Sequence, residues 1–272
     1  MKPENYARFA LLGGIWGMSF IFMRVAAPVF GPLLTAFGRV LCGALVLATL
    51  LTIKKIPLAW RHNLRTYTMI GLSNTAIPFS LFAWAALRVP SAYMATANAM
   101  APLFTAAFGV LLINERLTSA RIAGLILGLV GVAVIVGIGP APANVSTILG
   151  IGAALLAAVC YGYAGVYTRR FAVGIPPLAV ATGSLVCAVA VLLPAALVST
   201  VWQPIVLPND ASQSWRALGA VLLLGTFCTG IAYAMFYRLI SEEGVSRAMT
   251  VTFLVPAFAT IWAALFLGEH IT

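Results

Sequence analysis

Charge is what this sequence lacks most. Only 8% of its 272 residues are Asp, Glu, Lys or Arg, against about 25% in a soluble domain, so water is not its main solvent. The six carboxylates, Glu4, Glu115, Asp210, Glu242, Glu243 and Glu269, fall in loops or at the ends of apolar runs. None is placed to relay a proton at membrane depth, where such a relay needs ionisable groups. The two histidines, His62 and His270, also fall in loops, which leaves no embedded set of metal or haem ligands. The four cysteines, Cys42, Cys160, Cys187 and Cys228, sit inside apolar runs and read as small packing residues rather than a disulfide framework. No metal, cofactor or catalytic residue is expected. An intramembrane enzyme acting on lipid would need a nucleophile–base pair or a metal cluster at depth, and the groups for it are missing.

Apolar sequence is what the chain has in abundance. Hydrophobic residues make up 62% of it, in runs near the roughly 20 residues that carry a helix across a bilayer. Spans are predicted at 7–27, 32–53, 67–87, 91–113, 119–139, 147–168, 176–200, 215–240 and 245–267, nine in all. The fold class is an all-α polytopic membrane protein. With the N-terminus inside, Lys2, Arg8, Lys54, Lys55, Arg61, Arg65, Arg116, Arg121, Arg169, Arg170, Arg238 and Arg247 face the cytoplasm, while only Arg24, Arg88 and Arg216 fall near the outside. That is the positive-inside pattern. The net charge of +10 thus reads as orientation signals facing anionic lipid, and nucleic-acid binding is not expected. Lys2 and Arg8 could also open a cleaved signal peptide. The same segment recurs in mid-chain, where no signal peptide could act.

A longer repeat underlies the spans. "PLFTAAFGVLLINERLT" at 102–118 returns as "PAFATIWAALFLGEHIT" at 256–272, with Pro102/Pro256, Phe104/Phe258, Leu111/Leu265, Glu115/Glu269 and Thr118/Thr272 all 154 apart. The same step takes Gly71 to Gly225 and Thr75 to Thr229. Earlier in the chain a step of 145 takes Gly17 to Gly162, Arg24 to Arg169, Gly38 to Gly183 and Cys42 to Cys187. The units run 1–140 and 146–272. Five spans in the first make the second enter from the opposite side, and such inverted repeats mark secondary transporters. The second unit reaches Thr272 without a counterpart of the first unit's fifth span, so ten spans are expected in the natural protein against nine here.

These residues resemble the drug/metabolite transporter superfamily, in its EamA branch. The resemblance rests on "GGIWGMSFIFMRV" at 13–25, the Pro102–Glu115 span with "ERLT", and "IAGLILGLVGVAVI" at 122–135. The second half repeats it more loosely as "AAVCYGYAGVYTRR" and "PAFATIWAALFLGEHIT". It implies export of small metabolites, amino acids especially, across the bacterial inner membrane. Within the branch the chain is most similar to the YddG-type exporters of aromatic and other apolar amino acids.

Pro102 and Pro256 lack an N–H and leave the carbonyls of Asn98 and Thr252 without helical partners. Lipid cannot satisfy such groups, so each half places a kink and a polar side chain against protein or a cavity. Trp16, Ser19 and Met23 share one helix face. Asn74 and Pro78 are four apart on the third span, and Thr229 and Tyr233 four apart on the eighth. Tyr161 is the repeat partner of Trp16, and Tyr163 lies beside it. The substrate pocket is therefore expected from Trp16, Asn74, Asn98, Tyr161, Tyr163, Thr229, Tyr233 and Thr252, with Pro78, Pro102 and Pro256 as kinks. Arg39 sits inside a span. Snorkelling to the outer surface is its simpler reading, and recognition of a substrate carboxylate the sharper one. Glu115 and Glu269 are expected as interfacial anchors. The small-residue stripe Ala120, Gly124, Gly128 and Gly131 is expected to serve close helix packing.

The function expected is export of an amino acid or other amphipathic metabolite by alternating access, as a gradient-driven facilitator or a proton-coupled antiporter. A passive channel fits paired kinks less well. Membrane lipid is the expected surrounding, and the protein is expected as a monomer or homodimer.

Overall fold

A computed structural model describes residues 3–114, 119, 122–124, 126–127, 130, 144–202, 210–243, 248 and 250–269. These residues form helices and turns, with no strand among them. Five helices are long and apolar enough to cross a membrane: Glu4–Ile53, Ser91–Ile113, Val145–Phe171, Pro177–Trp202 and Ala211–Phe236, with Val251–Leu267 a shorter apolar helix.

Helix α1, Pro3–Ile53, holds 51 residues, which as one rod would measure about 77 Å against a hydrocarbon core of about 30 Å. It reverses instead. Gly31, at φ 74° and ψ 165° between Pro28 and Pro32, breaks it into two limbs; a side chain at that φ would be strained. Residues sixteen apart on a straight helix are about 24 Å apart, yet Arg39 Nη1 on the second limb lies 3.8 Å from Met23 Sδ on the first.

Helix α2, Trp60–Gly71, continues through a π-helical turn, Leu72–Ala76, into α3, Ile77–Ala85. Pro78 cannot donate to the Asn74 carbonyl four residues back, and the Ile77 N–H reaches five back to Leu72. The same detour occurs between α8, Ala211–Gly225, and α9, Ala232–Glu243, at Thr226–Ile231. No proline stands there. The Thr229 hydroxyl donates to the Leu224 carbonyl five back (2.9 Å), and a side chain inserted into the ladder loosens the turn.

Helices α4, Ser91–Asn98, and α5, Ala101–Ile113, are halves of one crossing, interrupted ahead of Pro102. The break has a fixed pattern: Met100 N–H bonds Ala97 O (3.2 Å) and Phe104 N–H bonds Met100 O (3.2 Å). The break ahead of α10, Val255–Leu267, copies it, with Leu254 N–H on Val251 O (3.0 Å) and Phe258 N–H on Leu254 O (3.2 Å). Even the ends agree. Helix α5 stops at Asn114 (φ 56°) and α10 at Gly268 (φ 64°), both left-handed, as helix C-termini commonly are.

Helices α6, Val145–Phe171, and α7, Pro177–Trp202, complete the set, and the packing runs between distant parts of the chain. A methyl on Gly17 would come 2.8 Å from the Ala259 nitrogen, and one on Gly162 would come 2.8 Å from the Thr105 nitrogen. A methyl on Gly38 would come 2.6 Å from Val221 as one on Gly183 would come 2.5 Å from Tyr67, and one on Gly71 would come 2.5 Å from the Ser184 carbonyl as one on Gly225 would come 2.6 Å from that of Arg39. Each of these three contacts appears twice with its partners exchanged, in the 145 and 154 registers of the sequence. Close backbone approach is what small residues permit in a bilayer, where packing rather than water drives association.

The core gathers along these seams. Phe20, Phe82, Tyr93, Met94, Leu224 and Val255 form one buried cluster, with Trp16 and Tyr161 packed against it. Of the small-residue stripe, Gly124 faces Leu103, which a methyl there would meet at 3.3 Å, while Ala120, Gly128 and Gly131 lie outside the described residues. So do Glu115, His270 and most of the 119–139 span.

Candidate functional site

Arg39 is the residue around which a site forms. Its side chain does not snorkel: the residue is 6% exposed, because the second limb of α1 turns it toward α3 and α8. Its guanidinium carbon lies 3.6 Å from the centroid of the Phe79 ring, in a cation–π arrangement. Nε donates to Thr229 Oγ1 at 3.0 Å, on the π-helical turn after α8. Nη1 has only the Met23 sulfur, a weak acceptor, at 3.8 Å. No carboxylate among the described residues pairs with it. The charge is close enough to Tyr161, Tyr233 and Cys228 to interact with each of them.

Local structure explains why these groups meet. The widened turn at Thr226–Ile231 rotates Thr229 inward. Its oxygen donates to Leu224 O and accepts from Arg39, so both functions of the hydroxyl are used. On the other detour, Asn74 and Thr75 stand beside Tyr233. Thr75 is fully buried, with the Tyr233 phenol beside its hydroxyl. Thr75 and Thr229 are repeat counterparts, but only Thr229 has a cation against it. Ser184, the counterpart of Arg39, satisfies itself on the Ala181 carbonyl (3.0 Å).

Of the residues expected in a pocket, Arg39, Asn74, Tyr161, Thr229 and Tyr233 come together, with Pro78 buried at the start of α3. Tyr161 stacks on Phe82, centroids 6.1 Å apart. Trp16 packs on Phe236 at 5.1 Å, at the margin of this group. Tyr163 does not join it: two residues along α6 puts it on another face, edge-on to Phe108 and 5.8 Å from Tyr167. Asn98 is half-buried at the end of α4, and its side chain makes no hydrogen bond to the described residues. Thr252 lies on the short helix Thr250–Phe253 ahead of Pro256. Ser19 bonds the Trp16 carbonyl (2.6 Å). Phe79 and Thr75 were missed as site residues. The repeat singled out Thr75, but nothing in sequence marks one phenylalanine among 15 as a cation's partner.

Two ion-pair clusters lie away from this centre. Glu269, just past α10, is 3.3 Å from Arg24 Nε and accepts from the Ser91 N–H at the start of α4 (3.1 Å). Arg24 also donates to Val89 O (2.9 Å). Glu269 is thus an anchor that ties three segments. At the start of α1, Arg8 reaches Glu242 (2.5 Å) while Asn5 donates to Glu243 (2.6 Å), and Arg238 donates to Glu242 from four residues back (2.8 Å). A cavity of about 370 Å³ opens between Leu112, Ile113 and Asn114 of the α5 end and Arg169 and Arg170 of α6.

Known proteins share this sequence and fold. A solved crystal structure aligns with a TM-score of 0.66 at 23% identity, over 97% of this chain and 88% of that one. An uncharacterized transporter of Bacillus subtilis, YvbV, is 24% identical over 100% of this chain and 86% of its own length. A Salmonella typhimurium protein described as a "probable amino-acid metabolite efflux pump" is 24% identical over 95% of this chain and 85% of that protein. A "probable terminal-alkyne amino-acid exporter" of Streptantibioticus cattleyicolor is 24% identical over 93% and 82%. The model of the EamA-like transporter family matches residues 6–137 and again 148–272. With its apolar helices and its doubled contacts, this chain belongs to the EamA-like transporter family, a family of multi-pass membrane proteins.

Proposed function

We propose that the protein is a secondary transporter that exports small amphipathic metabolites, aromatic and apolar amino acids among them. It works by alternating access of two inverted units, residues 1–140 and 146–272, in a bacterial inner membrane with the N-terminus cytoplasmic. The observation that carries this reading is the exchanged set of contacts: Gly17 on Ala259 and Gly162 on Thr105, Gly71 on Ser184 and Gly225 on Arg39. Seams that are equivalent but oppositely directed let one unit rock on the other while a site between them stays in place. The polar and aromatic groups around Arg39 lie where those seams cross, and they suit a ligand with an apolar body and a few hydrogen-bonding atoms. The relatives described as amino-acid exporters favour amino acids within that class.

The test is flux into proteoliposomes holding the purified protein, with a panel of labelled amino acids. Saturable uptake, and faster exchange against unlabelled substrate loaded inside, are the expected results. Flux that rises linearly with concentration and shows no exchange acceleration would identify a channel instead.

A further inference from the structure

We infer that Arg39 is the anion anchor of the transported molecule, and that the site selects its substrate by a carboxylate rather than by an amine. This rests on the transport reading above. Arg39 is 6% exposed within an apolar span, yet no carboxylate among the described residues answers its charge. A buried guanidinium in hydrocarbon is normally paired with an acid or with backbone carbonyls. Here the five N–H groups of the fork have one oxygen, Thr229 Oγ1, one sulfur at 3.8 Å and the face of Phe79. Ring and thioether hold a cation only weakly compared with an anion. The outer edge of the fork therefore has no oxygen acceptor among the described residues, and a bidentate acceptor is what would satisfy it, the geometry in which arginine binds carboxylate.

The neighbours agree. Thr75 is buried against Tyr233, and its hydroxyl adds a polar group to this apolar setting. Phe79, Tyr161 and Tyr233 supply apolar surface for the ligand body. Among the described residues nothing acidic stands near to hold an ammonium group. The amine of an amino acid thus has no charged partner, and removing it should matter little. Removing or neutralising the carboxylate should matter a great deal.

Four probes of one shape separate the possibilities: L-phenylalanine, 3-phenylpropionate (no amine), phenethylamine (no carboxylate) and L-phenylalaninamide (carboxylate neutralised). Binding to the full chain in detergent is read by thermal shift and by tryptophan fluorescence, and flux is read separately in proteoliposomes. The two carboxylates are expected to bind within about tenfold of each other, with the amine and amide weaker by about 30-fold or more. Arg39→Met should remove that preference. It should also leave the ligand-free Tm unchanged or raised, because an uncompensated buried charge disappears; a merely structural arginine would lower it. Arg39→Lys keeps a charge without the planar fork, and should weaken carboxylate binding while keeping the order of the probes. Equal binding of amine and acid overturns the assignment, as does a carboxylate preference that survives Arg39→Met, or no binding of either carboxylate. Carboxylate binding without flux would instead overturn the transport reading and leave the anchor standing.

Discussion

At the scale of single residues, the glycines divide by what stands against them. A methyl on Gly71 would meet the Ser184 carbonyl at 2.5 Å, and one on Gly225 the Arg39 carbonyl at 2.6 Å. Backbone in a packed seam cannot step aside. Gly71→Ala and Gly225→Ala should each destabilise by about 1–3 kcal/mol, the usual cost of overpacking, and lower transport together with Tm. Gly152 and Gly219 have nothing within 4 Å. Alanine there should be neutral, or stabilising by up to about 1 kcal/mol, since it favours helix. Melting curves of the four variants in detergent check the contrast. Equal losses at Gly71 and Gly219 would mean that close approach at the seam is not what decides. Arg39 teaches the complementary lesson. Its place within a span was legible, but its direction was not, because snorkelling depends on which way the second limb of α1 faces. That depends on contacts up to 190 residues away.

At the scale of elements, hydropathy marked apolar helices and missed their polar extensions. The 67–87 span begins at Trp60 in the structure, because "WRHNLR" continues the helix with polar side chains that a hydropathy window discards. The gap between 27 and 32 is a reversal at Gly31, where the backbone leaves helical geometry (φ 74°, ψ 165°) between Pro28 and Pro32. Pro102 and Pro256 announced their breaks, and Pro78 its detour. The turn at Thr226–Ile231 carries no proline, so its cause, the Thr229 hydroxyl on Leu224 O, could be read only through its repeat counterpart. The junction of α1 and α9 yields a pH prediction. The hydrogen bond from Arg238, with the charges of Arg8 and Arg238 behind it, holds the Glu242 carboxyl below its ordinary value of 4.5. A depressed carboxyl contributes stability that is fully present above its unfolded value and is lost as pH falls through its folded one. The Tm difference between the protein and Glu242→Gln should therefore be constant above about pH 5.5 and shrink below about pH 4.5. A difference that persists unchanged to pH 3 would mean that Glu242 acts there by shape and not by charge.

At the scale of the molecule, orientation and coupling can be tested. In the proposed orientation the α1–α9 junction faces the cytoplasm and the start of α8 the outside. In Glu242→Cys and Trp215→Cys variants, a membrane-impermeant maleimide should label position 242 only in inside-out vesicles and position 215 only in right-side-out ones, above the background of the parent chain. Labelling of both from one side would sink the arrangement of the spans. For coupling, the centre around Arg39 holds no carboxylate or histidine among the described residues, and Glu269 is tied to Arg24 and Ser91 away from it. The proposed facilitator should carry substrate without an imposed pH gradient, and collapsing such a gradient should change the rate little. Uphill uptake driven by protons, abolished by Glu115→Gln or Glu269→Gln, would make it an antiporter.

The distance in sequence between Arg39 and Thr229 also has a meaning in time. The hydroxyl that accepts from Arg39 is made 190 residues later, about 10–40 s at ordinary rates of synthesis. Over that interval the second limb of α1 must already be in the bilayer with its guanidinium unsatisfied, against an insertion cost of about 2.5–3.5 kcal/mol for an arginine at the centre of a span. The leucines and valines around Arg39 in "GRVLCGALVLATLLTI" are then more than lipid-facing filler. They hold the limb in the membrane through a half-finished state in which Met23 and Phe79 are the first company the charge can find.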